Sequence, residues 1–239
     1  MSSETRVKAI FYDFDGTLHA DHPPQLDVFA RHAVELGMRI PDEALLQAAR
    51  WEYYYFGPSE ERRADQKDYP EEQSFWGNYV RRQLIALGAS TSQAQELTPQ
   101  LFEYMYQHYR PQDAVLPGVH ECLKELKERG YILGIVSNRD AQDNEILNRF
   151  DLQSYFSFWL WAEKDGAPKP DRRMFEQALQ KAGVEPAQAM HVGDNYYTDV
   201  VGARSTGIQP VLLDTRGAYE QSDCLVIRSH SQVLALLED

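Results

Sequence analysis

The sequence predicts an α/β fold: a doubly wound parallel sheet interrupted by an inserted α-helical domain. Three observations carry that reading. An apolar run at residues 7–12 is followed at once by Asp13-Phe14-Asp15-Gly16-Thr17, the pattern of a buried strand whose carboxyl end bears polar chemistry. From about residue 131 onward, short apolar runs alternate with amphipathic segments, as in strands joined by covering helices. Between residues 19 and 113 strand-like runs vanish and apolar side chains recur at helical spacing. The predicted domains are residues 1–18 with 114–239 as the core, and 19–113 as the helical insert.

The elements follow in order. The first strand covers residues 7–12. In the insert, Leu46, Ala49, Tyr53 and Phe56 mark a helix over 41–56, with Pro41 suited to its first turn. Trp76, Val80, Leu84 and Leu87 mark a second, and Leu97, Leu101, Tyr104 and His108 a third. The charged stretch 57–70, bracketed by glycine and proline, reads as a connecting loop. Helices with such stripes pack as a small bundle. The aromatic rings of Trp51, Tyr54, Tyr55 and Tyr79 lie off the stripes. Core strands are expected at 131–136, 157–161, 189–192, 210–213 and 224–227, with a helix over 171–182.

Composition narrows the function. Lys and Arg number 24 against 37 Asp and Glu, a formal charge of -13, which opposes nucleic-acid phosphates and anionic lipid. Neither a nucleic-acid nor a membrane partner is expected. Any phosphate bound must meet a local cation. Cys122 and Cys224 form no CxxC pattern, so neither a disulfide framework nor a zinc site is indicated, which fits a cytoplasmic location. Residues 1–6 lead into too short an apolar run for a signal peptide, and no stretch has the length of a membrane span.

The chemistry converges on one sheet edge. Ser137-Asn138, Lys169-Pro170 and Gly193-Asp194 each follow an apolar run, and Asp199 comes five residues after Asp194. In a parallel sheet all strand carboxyl ends share an edge, so these segments and Asp13-Asp15 can meet in one crevice. Several hard oxygen ligands from Asp13, Asp15, Asp194 and Asp199 favour Mg²⁺. Lys169, Ser137 and nearby backbone N–H groups suit phosphate oxygens. One carboxylate then attacks phosphorus, while its neighbour two residues on protonates the leaving oxygen and later deprotonates water. That division asks for a low pKa on the metal-bound carboxylate and a raised one on its neighbour.

These segments resemble the four motifs of the haloacid dehalogenase superfamily, mostly Mg²⁺-dependent phosphatases. Asp13-Phe14-Asp15-Gly16-Thr17 is similar to the first motif, Ser137 to the second, Lys169 to the third, and Gly193-Asp194-Asn195-Tyr196-Tyr197-Thr198-Asp199 to the fourth. The match spans residues 7 to about 214, and Leu116-Pro117-Gly118-Val119 resembles the start of the helix that re-enters the core. The insert resembles the helical cap of one large branch. Lys164 competes for the third motif, but Lys-Pro-Asp before a helix is the usual local form, which selects Lys169. The resemblance implies Asp13 and Asp15 as catalytic residues and Thr17, Ser137, Asn138 and Lys169 as phosphate-binding. It implies Asp13, Asp15 and Asp194 as metal ligands with Asp199 behind them. Asp15 argues against carbon-halogen hydrolysis and for phosphate monoesters, while a closing cap and the charge of -13 favour a small phosphorylated metabolite, with a phosphomutase or a non-catalytic scaffold as rivals. His191 and His108 read as structural. His19 and Arg139 pass near the crevice, and Arg62, Arg63, Lys67, Arg81 and Arg82 are positioned in the insert to steer a dianion.

Overall fold

A computed structural model describes residues 6–139, 144–162, 167–219 and 222–238. Residues 1–5 and the competing Lys164 lie outside them. The chain forms two compact units, Met1–Ala20 with Ala114–Asp239, and Asp21–Asp113. Among the described residues no helix is long and apolar enough to cross a membrane.

The first unit is built on six parallel strands. In chain order they are β1 (Ala9–Tyr12), β4 (Ile132–Ser137), β5 (Phe158–Trp161), β6 (Ala189–Gly193), β7 (Gln209–Leu213) and β8 (Leu225–Ile227), arranged β5-β4-β1-β6-β7-β8. The chain winds outward from β1 through β4 to β5, then returns to the other side of β1 with β6. The switch point therefore lies between β1 and its neighbours, where open α/β sheets bind ligands. All four residues of β1 are buried because helices cover both faces. Ile10 and Tyr12 join one apolar cluster with Leu123 and Leu126 of the helix Val119–Glu128. Ala9 and Phe11 join another with Met174, Phe175 and Ala178 of the helix Arg172–Ala182. That helix buries Met174, Phe175, Ala178, Leu179 and Ala182, a stripe at helical spacing. It starts at Asp171, whose side chain accepts from Arg173 N, and stops at left-handed Gly183.

The second unit is helical: α1 (Gln25–Glu35), α2 (Asp42–Phe56), α3 (Glu60–Asp68), α4 (Glu72–Ala86) and α5 (Thr91–His108). Leu26, Phe29, Ala33, Ala48, Leu84, Leu87, Leu97 and Leu101 form its core. Residues 57–70 are not a plain loop. Ser59 caps α3 by accepting from Arg62 N, with Glu60 and Glu61 in the first turn where the helix dipole favours them. The helix hides in sequence because Asp65 is its only buried residue. Tyr55, off the stripe, is fully buried against the neighbouring helix and donates to Asp65 at 3.0 Å, while Trp76, placed on a stripe, is exposed. Tyr79 is also buried. His108 is exposed as well. Arg82 pairs with Asp65 at 2.7 Å and with Glu61, and Arg81 donates to Asn78. Arg62 and Arg63 donate to backbone carbonyls around the start of α3. These arginines thus help to hold the unit together. Residues 19–113 also hold strand structure at their ends: β2 (His19–His22) pairs with β3 (Gln112–Val115). Neither strand shows apolar alternation, so backbone pairing alone defines them.

His230 gives the α/β unit a pH signature. Its ring is buried, stacks on Tyr12 at 6.3 Å, and its side chain bonds to the Thr17 backbone. Burial, partly offset by that bond, lowers its pKa from 6.5 to about 4. Between those values the unfolded chain takes up a proton that the folded chain refuses, so stability falls as the pH drops through this window, by about 3 kcal/mol from this group. Asn at this position keeps a donor for Thr17 but does not titrate. Urea unfolding of His230→Asn is expected to lose about one proton's worth of pH dependence between pH 6.5 and 4; an unchanged slope would refute the assignment.

Candidate active site

The site begins where β1 stops. The strand ends at Tyr12, and the Asp13 N–H donates to Val192 O at 2.9 Å, the last link between β1 and β6. The chain then turns. Phe14 O accepts from Leu18 N at 2.8 Å, and Gly16 adopts φ +76, a left-handed conformation that glycine takes without strain. A Cβ on Gly16 would stand 2.2 Å from Asp194 Oδ2, so the turn requires glycine for room as well. Extended backbone therefore does not continue through Asp15, and the two carboxylates of this segment meet different partners.

Asp13 turns inward. Its Oδ1 lies 2.6 Å from Lys169 Nζ, and the same ammonium lies 2.7 Å from Asp199 Oδ1. Oxygen atoms of Asp13, Asp194 and Asp199 all come within 4.8 Å of one another. Asp199 sits on a π-helical turn, Tyr196–Val200, whose first peptide groups are capped by the Asn195 side chain. Gly193 lets this turn lie close, since a Cβ there would be 2.2 Å from Asp199 Cγ. Both Asp199 oxygens are engaged: Oδ1 by Lys169 and by His191 Nε2 at 3.0 Å, Oδ2 by Asn195 N at 3.0 Å. The carboxylate therefore orients Lys169, and His191 supports it from inside β6.

Several sequence expectations change here. Thr17 was expected to hold phosphate, yet it is fully buried and its hydroxyl donates to Asp194 Oδ1 at 3.2 Å. The Asn138 side chain likewise bonds within the protein. It donates to Lys169 O at 3.0 Å and accepts from Lys169 N at 2.6 Å, clamping the peptide that presents the lysine. Ser137, at the end of β4, accepts from Arg139 N at 3.2 Å. Asp15 was expected among the metal ligands, but its carboxylate faces Arg139 Nη2 at 3.0 Å and His19 Nε2 at 2.9 Å, outside the Asp13, Asp194 and Asp199 group. His19 is itself buried between Phe14 and Phe150, and Arg139 lies over the Phe14 ring. Sequence reasoning placed both residues near the crevice but missed the clamp they form. The signal was their positive or polar character directly after the first and second motifs.

The electrostatics follow from these partners. Burial drives the Asp13 carboxyl up to about 7 despite Lys169. Burial and the nearby charges of Asp13 and Asp199 push Asp194 well above the carboxylate range. Burial also opposes charge on Asp199, but Lys169 and His191 outweigh it and hold its carboxyl low. At Asp15, lost hydration is outweighed by hydrogen bonds from His19 and Arg139, and its pKa falls to about 2. Without a metal, Asp13 is the raised carboxyl because it is buried, and Asp15 the lowered one because it is paired. Around Lys169, three carboxylates face one ammonium, an excess of negative charge on hard oxygen donors. That donor set fits Mg²⁺.

A family model for haloacid dehalogenase-like hydrolases matches residues 7–207. In Mus musculus, haloacid dehalogenase-like hydrolase domain-containing protein 3 is 32% identical over 224 residues, 89% of this chain and 84% of the relative. A glyceraldehyde 3-phosphate phosphatase of Pyrococcus furiosus is 33% identical over 132 residues, covering 52% of this chain and 54% of that protein. Among solved structures, a 2-haloacid dehalogenase from Pseudomonas syringae aligns with a TM-score of 0.54 and 27% identity over 97% of this chain and 98% of that one. A HAD phosphatase from Thermococcus onnurineus aligns with a TM-score of 0.58 and 24% identity over the same shares. With the parallel sheet, its switch point and the acidic cluster around Lys169, these matches establish that the chain belongs to the haloacid dehalogenase-like hydrolases.

Proposed function

We propose that this protein hydrolyses a small phosphate monoester through a phosphoaspartate on Asp13, with Mg²⁺ as cofactor. The observation that carries the proposal is the buried ammonium of Lys169, 2.6 Å from Asp13 and 2.7 Å from Asp199, beside the Asp194 carboxylate. A nucleophilic carboxylate, a fixed cation for phosphate oxygens and spare hard ligands are all present in one place. Phosphatase-named relatives support the same reading.

An Asp13 oxygen attacks phosphorus as the bond to the leaving oxygen breaks. Asp15 gives that oxygen its proton, then takes one from the water that attacks the phosphoaspartate, and inorganic phosphate leaves. Lys169 and the Ser137 hydroxyl hold phosphate oxygens during both steps. Asp13 and Asp194 are the residues that would hold Mg²⁺, which supplies charge neutralisation between dianionic substrate and nucleophile. Asp199 and Thr17 orient Lys169 and Asp194 from behind. The arriving dianion raises the Asp15 pKa and competes for Arg139, which moves the carboxyl toward the protonated form its first task needs. On this reading the helical unit is the cap that selects the leaving group. The Asp15 carboxyl favours ester cleavage over carbon-halogen hydrolysis, which has no leaving oxygen to protonate.

Asp13→Asn is expected to lower kcat by at least about 10⁴-fold with an unchanged circular dichroism spectrum, since an amide is no nucleophile toward phosphorus. Near-normal turnover of the folded variant would remove the nucleophile assignment. Asp15→Asn should cost an alkyl phosphate such as glycerol 3-phosphate about 10²-fold or more, and 4-nitrophenyl phosphate markedly less, because nitrophenolate needs little protonation. Equal losses would exclude the acid role. Dialysis against EDTA should silence the enzyme and Mg²⁺ restore it, with Asp194→Ala raising the half-activating Mg²⁺ concentration about tenfold or more; full activity in chelator would contradict the scheme.

A further inference from the structure

The helical unit contains a cavity of about 820 Å³, a size typical of sites for drug-sized organic molecules. Its chemistry is unlike that of the phosphate site. Aromatic rings, including Trp76, Tyr79 and Tyr109, share its wall with Glu52, Glu72 and Glu103, and none of the described lining residues is Lys or Arg. The rings are set at angles to one another: Trp76 meets Tyr79 edge-on with centroids 5.6 Å apart. Tyr79 donates to Glu52 Oε1 at 2.6 Å, which fixes that carboxylate at the cavity wall.

The field inside is negative. Burial and the charges of Asp21 and Glu52 push the Tyr109 phenol up to about 12, and burial with Glu52 raises Tyr79 well above its ordinary value. An anion entering this space would meet carboxylates with no lining cation to offset them. A neutral apolar molecule would cover carboxylates and return nothing to them. A cation gains from both the carboxylates and the negative faces of the rings, and its apolar body gains from the aromatic wall. Trp76 is 39% exposed, so its ring is open to such a guest.

We propose that this cavity is a binding site for a small organic ammonium ion carrying an apolar body. The site lies wholly within the helical unit, so the proposal stands independently of the reaction assigned to Asp13.

The test uses three probes that share one body and differ in head group: 4-phenylbutylamine, 4-phenylbutanol and 4-phenylbutyrate, titrated calorimetrically into the full-length protein at neutral pH. The amine is expected to bind saturably and about tenfold or more tighter than the alcohol, with the carboxylate weakest, and to weaken as salt rises. Trp76→Leu, at an exposed ring, and Glu52→Gln, which keeps a hydrogen-bond acceptor for Tyr79, should each weaken the amine about tenfold while leaving the alcohol nearly unchanged. Equal binding of amine and alcohol, tighter binding of the carboxylate, absence of saturable amine binding, or an amine affinity indifferent to both substitutions would each overturn the proposal.

Discussion

The α/β unit is organised around one buried charge. Lys169 Nζ has almost no access to water and lies between Asp13 and Asp199. Removing a partner from such an ion costs about 3–5 kcal/mol, because the remaining charge has neither water nor counter-ion. The surrounding design protects this arrangement. His191 and the Asn195 peptide hold Asp199, while Asn138 grips the lysine's own peptide at both its N–H and its carbonyl. Burial opposes charge on Lys169, yet the two carboxylates hold its pKa above the ordinary value, so the ammonium stays charged throughout the working pH range. A cation so fixed needs no reorganisation when a phosphoryl group arrives, which is where preorganised sites gain most of their effect.

That charge is reachable only because the sheet reverses its winding at β1. The parallel order β5-β4-β1-β6-β7-β8 places the ends of β4, β1 and β6 side by side, and from those ends come Ser137, Asp13 and Asp194. Close approach of carboxylates is then a packing problem, and two glycines solve it. Gly16 and Gly193 leave the space in which the Asp194 and Asp199 side chains lie. A methyl group at either position would push apart the oxygens that now lie within 4.8 Å. Burial first, and then the charges of Asp13 and Asp199, raise the Asp194 pKa, and a divalent cation relieves that crowding more fully than protonation, since it serves several oxygens at once.

How much of this was legible in sequence depended on what the residues report. Runs such as Ile132–Ser137 are apolar because both faces of the sheet are covered, and that pattern located the core strands within a residue or two. Apolar pattern reports removal from water but not the partner. It therefore missed α3, whose contribution is Asp65 buried against Tyr55 and Arg82. The same limit applies to the site. Asp13, Asp194 and Lys169 stood out by position in the chain, but the low pKa of Asp15 depends on His19 and on Arg139, 124 positions away from Asp15 in sequence. Thr17 and Asn138 were seen as polar residues near phosphate. Their actual bonds, to Asp194 and to the Lys169 peptide, depend on folded geometry that residue type does not encode.

To take a phosphate dianion as proposed, a protein with a formal charge of -13 must separate long-range repulsion from short-range attraction. Screening does most of this. At physiological salt the Debye length is about 8 Å, so surface carboxylates farther than that scarcely act on a ligand in the crevice. Within that range the balance is set by groups held in low dielectric, where one ammonium at hydrogen-bond distance outweighs several distant charges. Of the arginines of α3 and α4, Arg82 is neutralised by Asp65 and Glu61 inside its own unit, while Arg62, Arg63 and Arg81 bond to uncharged groups. On the proposed reading, attraction for phosphate is thus concentrated in Lys169 and in the divalent cation that Asp13 and Asp194 would hold, so the affinity of the site for phosphate would rise and fall with occupancy of that cluster.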